Sequence, residues 1–166
     1  DVAPSRGLGD VYKRQMKDRV EKAVELFKSG YNCSQSVVAA FADMYGFTQE
    51  QALRMSASFG GGIGRMRQTC GAACGMFLLA GLEKGAVDGK DREGKAANYA
   101  LVQQLAEEFR KRNGSMICAE LLGLKKPEGS SMPEARTEQY YAKRPCAKMV
   151  EEAAAIWAEY LEKQRK

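Results

Sequence analysis

The sequence predicts an all-α protein, a single-domain bundle of about six or seven helices. Apolar residues recur at helical spacing in several long segments, and residues that favour helix ends bound most of these segments. No segment alternates polar and β-branched residues over the length of a strand, so no sheet is expected. The chain of 166 residues is long enough for one domain with its own core.

Four helices are expected in the first half of the chain, each bounded by a capping residue or a glycine. Asn32 or Ser34 can cap the second of them, and Thr48 with Gln51 forms a capping-box pattern for the third. Residues 71–82 are almost wholly apolar, which predicts that the fourth helix is buried. The four helices are predicted at about 16–28, 33–46, 49–58 and 70–84.

The second half is expected to contain a long helix over about 91–113, a short helix after Ser115 and a final helix that begins at Pro145. The intervening residues 123–145 contain three prolines and are predicted to form a loop. Tyr140, Tyr141 and Arg144 in this loop are candidates for covering a site, although loop aromatics often only pack.

Residues 1–15 differ in composition from the rest of the chain, being polar and rich in glycine. Their stretch DVYKRQ resembles a translated sequencing adapter. We therefore expect a non-native, disordered leader at 1–15 and the functional domain at 16–166.

Composition excludes several classes of function. The net charge of +5 is spread over interleaved acids and bases, so nucleic-acid binding is not expected. The longest apolar run is shorter than the roughly 20 residues of a membrane span, so no membrane insertion is expected. Five cysteines, an odd number, with no export signal predict a reducing cytoplasmic location. The absence of histidine excludes CxxCH haem attachment and a histidine general base.

Cys33, Cys70, Cys118 and Cys146 each lie where a helix is predicted to begin. The free backbone N–H groups and the partial positive charge of a helix N-terminus favour a thiolate over a thiol. Thiolates are nucleophiles and are ligands for soft metals. These cysteines are far apart in the sequence, so any joint site has to be assembled by folding.

Cys74 follows Cys70 by one helical turn, which makes it either a further metal ligand or a small buried apolar residue. Glycines surround this part of the chain and can offer N–H groups to a thiolate, a cluster sulfide or a phosphate. They are equally suited to a tight connection between helices. The candidate cofactor-binding glycines are Gly60, Gly61, Gly62, Gly64, Gly71 and Gly75.

The sequence resembles the redox-active C_GCAxxG_C_C family over nearly all of residues 16–166. The resemblance lies in YNCSQSV around Cys33, FGGGIGRMRQTCGAACG around Cys70, a third cysteine at Cys118 and RPCAKMV around Cys146. It implies that the four shared cysteines are Cys33, Cys70, Cys118 and Cys146, and that Cys74 occupies a variable position.

The leading hypothesis is an iron–sulfur cluster or a related metal centre bound by these four thiolates, used for electron transfer or redox sensing. A rival is a metal-free thiol–disulfide oxidoreductase in which Cys70 is the nucleophile, activated by its helix start and by Arg65 or Arg67. The expected partner is a redox protein or a small thiol or disulfide. Two further alternatives are a structural zinc site and an interaction domain with inert cysteines.

Overall fold

The computed structural model describes residues 3–124 and 129–165, and in that part of the chain no strand forms. The predicted all-α class is confirmed. Short 3₁₀ helices, Ala42–Tyr45 and Ala57–Phe59, follow the second and third α-helices. The α-helices are α1 (Ala3–Lys28), α2 (Cys33–Ala39), α3 (Gln49–Ser56), α4 (Gly71–Lys84), α5 (Arg92–Asn113), α6 (Cys118–Leu122), α7 (Glu138–Lys143) and α8 (Cys146–Gln164).

The core forms where α8 packs against α1, α2, α4 and α5. Trp157 of α8 is fully buried, as are Phe27 of α1 and Phe109 of α5. Aromatic side chains contribute large apolar areas to a core, and their burial fixes the three helices around α4. The apolar helix α4 is buried as predicted, with Met76 and Leu79 wholly inside.

The first helix is longer than the sequence analysis expected. It begins at Ala3 rather than near Met16, so the segment that was predicted to be a disordered leader is helical from residue 3 onward. Residues 1 and 2 lie outside the described part of the chain. Tyr12 packs against the core beside Arg165, which explains why the polar segment continues the helix.

The predicted loop 123–145 contains a helix that the sequence analysis missed. Thr137 caps α7 by accepting a hydrogen bond from the N–H of Tyr140. The helix has only six residues, too few to produce a visible apolar periodicity. Pro127, one of the three prolines on which the loop prediction depended, lies outside the described residues.

The described helices include none with the length and apolar character that crossing a membrane requires.

Candidate functional site

Four helix starts meet at one small cavity. Cys33, Cys118 and Cys146 are the first residues of α2, α6 and α8, and Cys70 is the N-cap of α4. The predicted position of each cysteine at a helix start is therefore confirmed. All four line a cavity of about 60 Å³, which we call the cysteine cavity. Cys74 does not line it.

Cys70 and Cys118 are held side by side by their backbones. Thr69 and Ile117, the residues just before them, form an isolated antiparallel bridge. The N–H of Cys70 donates to the carbonyl of Met116 over 2.8 Å, and the N–H of Cys118 donates to the carbonyl of Gln68 over 2.6 Å. This exchange of hydrogen bonds fixes two distant parts of the sequence against each other.

The glycine-rich segment before Cys70 forms a left-handed turn. Residues 61–65 all have positive φ, and so does Arg67. Ile63, Arg65 and Arg67 are not glycines, and each non-glycine residue in this conformation costs about 1–2 kcal/mol. Backbone hydrogen bonds close the turn, among them one from Gln68 to the carbonyl of Gly62 at 2.9 Å. Strain of this kind is found mainly where the surrounding structure enforces it, often at functional sites.

The candidate glycines serve chiefly to let cysteine-bearing segments approach closely. A Cβ atom on Gly62 would lie 2.6 Å from the Cβ of Cys118, and one on Gly71 would lie 3.3 Å from the Cβ of Cys33. Both glycines line the cysteine cavity together with Gly61. Gly60 and Gly64 line a neighbouring cavity, and Gly75 packs against α2 instead.

Cys33 is positioned by a capping box. Asn32 accepts a hydrogen bond from the N–H of Gln35, whose side chain in turn accepts from the N–H of Asn32. The amide of Asn32 also donates to the carbonyl of Ala57 over 3.0 Å. The start of α2 is thus attached to the end of α3, and Cys33 follows with little freedom.

Cys33 and Cys146 both line the cysteine cavity and are half-buried, and each is the largest influence on the pKa of the other. The Cys146 thiol, followed by burial, raises the pKa of Cys33 well above its ordinary value. The Cys33 thiol is the largest cause of the lowered pKa of Cys146, and the charges of Arg144, Arg67 and Arg136 lower it further. The pair therefore favours a state in which Cys146 is a thiolate and Cys33 keeps its proton.

The other three cysteines are less acidic than a free thiol. Burial raises the pKa of Cys70 to about 12, although backbone N–H groups of Ala73 and Ala72 act in the opposite direction. Burial also raises the pKa of Cys74 to about 11. It raises the pKa of Cys118 too, against the hydrogen bond from Arg67. At these sites desolvation outweighs the helix N-terminus.

Three arginines surround the cysteines from different segments. The side chain of Arg67 is only 5% exposed, and its Nη1 donates to the Sγ of Cys118 over 3.7 Å. Arg144 forms an ion pair with Glu134 and stacks on the ring of Tyr140. Arg136 was not singled out by the sequence analysis, because nothing local to it indicates a site.

Arg136 attaches the segment before α7 to α1 and to the loop that follows α1. Its guanidinium donates to the carbonyls of Phe27 and Tyr31 at 2.8 and 2.9 Å. It also lies 4.4 Å from the centroid of the Phe27 ring and 5.0 Å from that of Tyr140. Arg136, Tyr140 and Arg144 all line the cysteine cavity, so α7 and the residues on either side of it form part of its wall.

Comparison with protein families identifies the family of this chain. The profile described as "Putative redox-active protein (C_GCAxxG_C_C)" matches residues 31–160, which is most of the chain. The chain belongs to this family. Comparison with curated proteins and with solved structures found no match.

The four cysteines that line the cysteine cavity are also candidate metal ligands. Four thiols around one cavity are a donor set suited to soft metals. Within residues 3–124 and 129–165, however, no group of three or more Cys, Asp or Glu side chains is arranged so that it could hold a metal ion. The arrangement described here therefore does not fit a three- or four-thiolate centre, and the two thiols that influence each other most are Cys33 and Cys146.

Proposed function

We propose that this C_GCAxxG_C_C protein is a thiol–disulfide redox protein whose reactive pair is Cys146 and Cys33. The observation that carries the proposal is that these two half-buried cysteines, at the starts of α8 and α2, line one small cavity, and each influences the pKa of the other more than any other group does. Two neighbouring cysteines can close a disulfide when their sulfurs approach within bonding distance. Membership of a redox-active family supports the same class of chemistry.

The reaction proceeds in two exchange steps. The Cys146 thiolate attacks one sulfur of a substrate disulfide, a bond from Cys146 to that sulfur forms, and the other sulfur leaves as a thiolate. Cys33 then loses its proton and attacks the Sγ of Cys146, which closes the Cys33–Cys146 disulfide and releases the second substrate thiolate. Two electrons pass from the cysteine pair to the substrate, and the released thiolates take up protons.

Cys146 is assigned as the nucleophile in place of Cys70, which the sequence analysis suggested. Cys70 is 5% exposed, and burial raises its pKa to about 12, so its thiolate is scarce near neutral pH. Arg65 and Arg67, the cations expected to activate Cys70, contact other groups. Arg67 lies on Cys118, and Arg65 donates to the carbonyls of Ser130 and Met132.

The test is to treat the reduced protein with a small disulfide and to map its products by mass spectrometry. Cys33→Ser is expected to accumulate a mixed disulfide on Cys146, because the resolving thiol is gone. Cys146→Ser is expected to form none, and Cys74→Ser, which lies outside the cavity, is expected to behave like the unaltered chain. A mixed disulfide trapped on Cys70, or a Cys33→Ser protein that still closes an internal disulfide, would refute the assignment.

A second candidate function is a metal centre on Cys33, Cys70, Cys118 and Cys146, either an iron–sulfur cluster or zinc. It is favoured by one observation, that all four residues line the same cavity. Thiolate ligands suit both groups. Binding would require the four sulfurs to draw together from the arrangement described above.

Anaerobic purification followed by a visible spectrum and quantification of iron, zinc and acid-labile sulfide separates the two functions. Iron and sulfide with visible bands that dithionite bleaches would establish a cluster. A colourless, metal-free protein that still reacts with disulfides would establish the thiol pair.

A further inference from the structure

A second cavity lies beside the cysteine cavity and is larger, at about 360 Å³. We call it the arginine cavity, because Arg65, Arg67, Arg136 and Arg144 all line it. It shares part of its wall with the cysteine cavity, so the two cavities adjoin. The shared residues are Asn32, Gly61, Arg67, Arg136, Tyr140 and Arg144.

The charged side chains that line the arginine cavity, within the described part of the chain, are four arginines and Glu134. Arg144 is the partner of Glu134 in an ion pair. Arg136 donates to two backbone carbonyls, one in α1 and one in the following loop, and these contacts fix its orientation. Because a carbonyl carries no formal charge, they do not neutralise the guanidinium. Among the described lining residues, positive side chains therefore outnumber negative ones, whereas the whole chain is only mildly cationic.

The volume and chemistry of the arginine cavity match a small anion. About 360 Å³ falls at the lower end of the range found for small-molecule sites. Guanidinium groups bind carboxylates and other oxyanions through paired, charge-assisted hydrogen bonds. Tyr140 in the same wall adds apolar ring atoms, against which the carbon chain between such a group and a sulfur can pack.

We propose that the arginine cavity binds the anionic end of a small disulfide, so that the Cys146–Cys33 pair prefers anionic disulfides as substrates. This inference rests on the proposed thiol–disulfide function and adds the substrate class. The exchange is the one described above. Cys146 bonds to the nearer substrate sulfur, the farther half leaves as a thiolate, and closure of the Cys33–Cys146 bond releases the half whose carboxylate lies in the arginine cavity.

The experiment compares three disulfides that differ in charge: dithiodipropionate, which is dianionic, hydroxyethyl disulfide, which is neutral, and cystamine, which is dicationic. Each is mixed with the full-length reduced protein, and the rate of loss of free thiol on Cys146 is measured. Each rate is divided by the rate with free mercaptoethanol, which removes the intrinsic reactivity of the disulfide. The expected preference for the dianion over the dication is about tenfold at low salt, and it falls as salt is added.

Variants of Arg65 assign the preference to the cavity. Arg65 lines the arginine cavity but not the cysteine cavity, so its replacement leaves the thiol pair in place. Arg65→Gln is expected to reduce the preference for the dianion from about tenfold to about threefold, and Arg65→Lys is expected to restore much of it. The matched control is Arg54→Gln on α3, an exposed arginine paired with Glu50 that lines neither cavity.

The outcomes separate the two proposals. If no disulfide of any charge reacts with Cys146, the proposed thiol–disulfide function fails. If all three react with equal normalised rates, or if Arg54→Gln lowers the preference as much as Arg65→Gln, the function stands and the anionic substrate class is overturned. The charge series uses the unaltered chain, so it decides the question even if Arg65→Gln does not fold.

Discussion

The two halves of the cysteine cavity differ although all four cysteines begin a helix. Cys33 and Cys146 are half-buried, shift each other's pKa and lie beside three arginines. Cys70 and Cys118 are buried and are fixed by the hydrogen bonds around the Thr69–Ile117 bridge. The pKa of Cys146 is lowered, whereas those of Cys70 and Cys118 are raised. A helix start alone therefore does not determine how acidic a cysteine is.

The difference arises because burial penalises a thiolate more than one helix N-terminus stabilises it. For Cys146 this penalty is outweighed by the interaction with Cys33 and by the charges of three guanidinium groups, so its pKa is lowered. One half of the cavity is thus built for reaction, and the other half is built to hold two backbone segments together.

The largest expected effect is on alkylation. At pH 8 we expect iodoacetamide to modify Cys146 at least about a hundredfold faster than Cys70, because the thiolate population and the access differ. Since the pKa of Cys146 is lowered, its rate should reach half of its plateau below pH 9.0, the ordinary value for cysteine. For Cys70 the rate should still be rising near pH 12.

Site-resolved mass spectrometry over a pH series measures both rates, and buried Cys74 serves as an internal slow reference. Equal rates for Cys146 and Cys70 would remove the distinction between the two halves.

The next effect concerns the stability of the buried half. Gly62→Ala would place a Cβ atom 2.6 Å from the Cβ of Cys118 and 2.7 Å from backbone atoms of Arg67 and Gln68, at a φ of +75°. We expect it to lower the free energy of unfolding by about 3 kcal/mol. Urea denaturation measures this change.

Gly64→Ala is the matched control, because Gly64 has a φ of +58° but nothing within 4 Å of its would-be Cβ. It should cost about 1 kcal/mol, which is backbone strain alone. If the two variants were equally destabilised, close packing against Cys118 would not be what Gly62 provides.

The smallest expected effect separates stability from reactivity. Asn32→Ala and Thr48→Ala each remove the capping box of a short helix, and each should cost about 1 kcal/mol. Only Asn32 adjoins Cys33, so only Asn32→Ala should slow closure of the Cys33–Cys146 disulfide. The closure rate is followed by quenching with acid and counting free thiols. A similar slowing in Thr48→Ala would attribute it to general destabilisation.

Local signals predicted the helix starts at the cysteines well. Asn32 and the glycines around Cys70 act within a few residues, so their effect can be seen in the sequence. The six residues of α7 were missed because so short a helix shows no apolar periodicity. Within residues 3–15, the contact of Tyr12 with Arg165 joins distant parts of the chain, so no local pattern indicates it.

The composition of the site could be anticipated, but its internal contacts could not. The sequence identified all four cavity cysteines, yet nothing in it indicates that Cys33 and Cys146 influence each other most. Arg67 was expected beside Cys70, and the left-handed turn directs it to Cys118 instead. The cytoplasmic location and the metal centre stay predictions.

The arginines around Cys146 come from separate parts of the chain. Arg144 is its near neighbour in sequence, whereas Arg67 arrives from the left-handed turn and Arg136 from the segment before α7. An incompletely folded chain has none of this arrangement, so all five of its thiols have ordinary acidity. The acidic thiol of Cys146 therefore arises only when folding brings these three segments together, and the same folding makes the buried thiols less acidic.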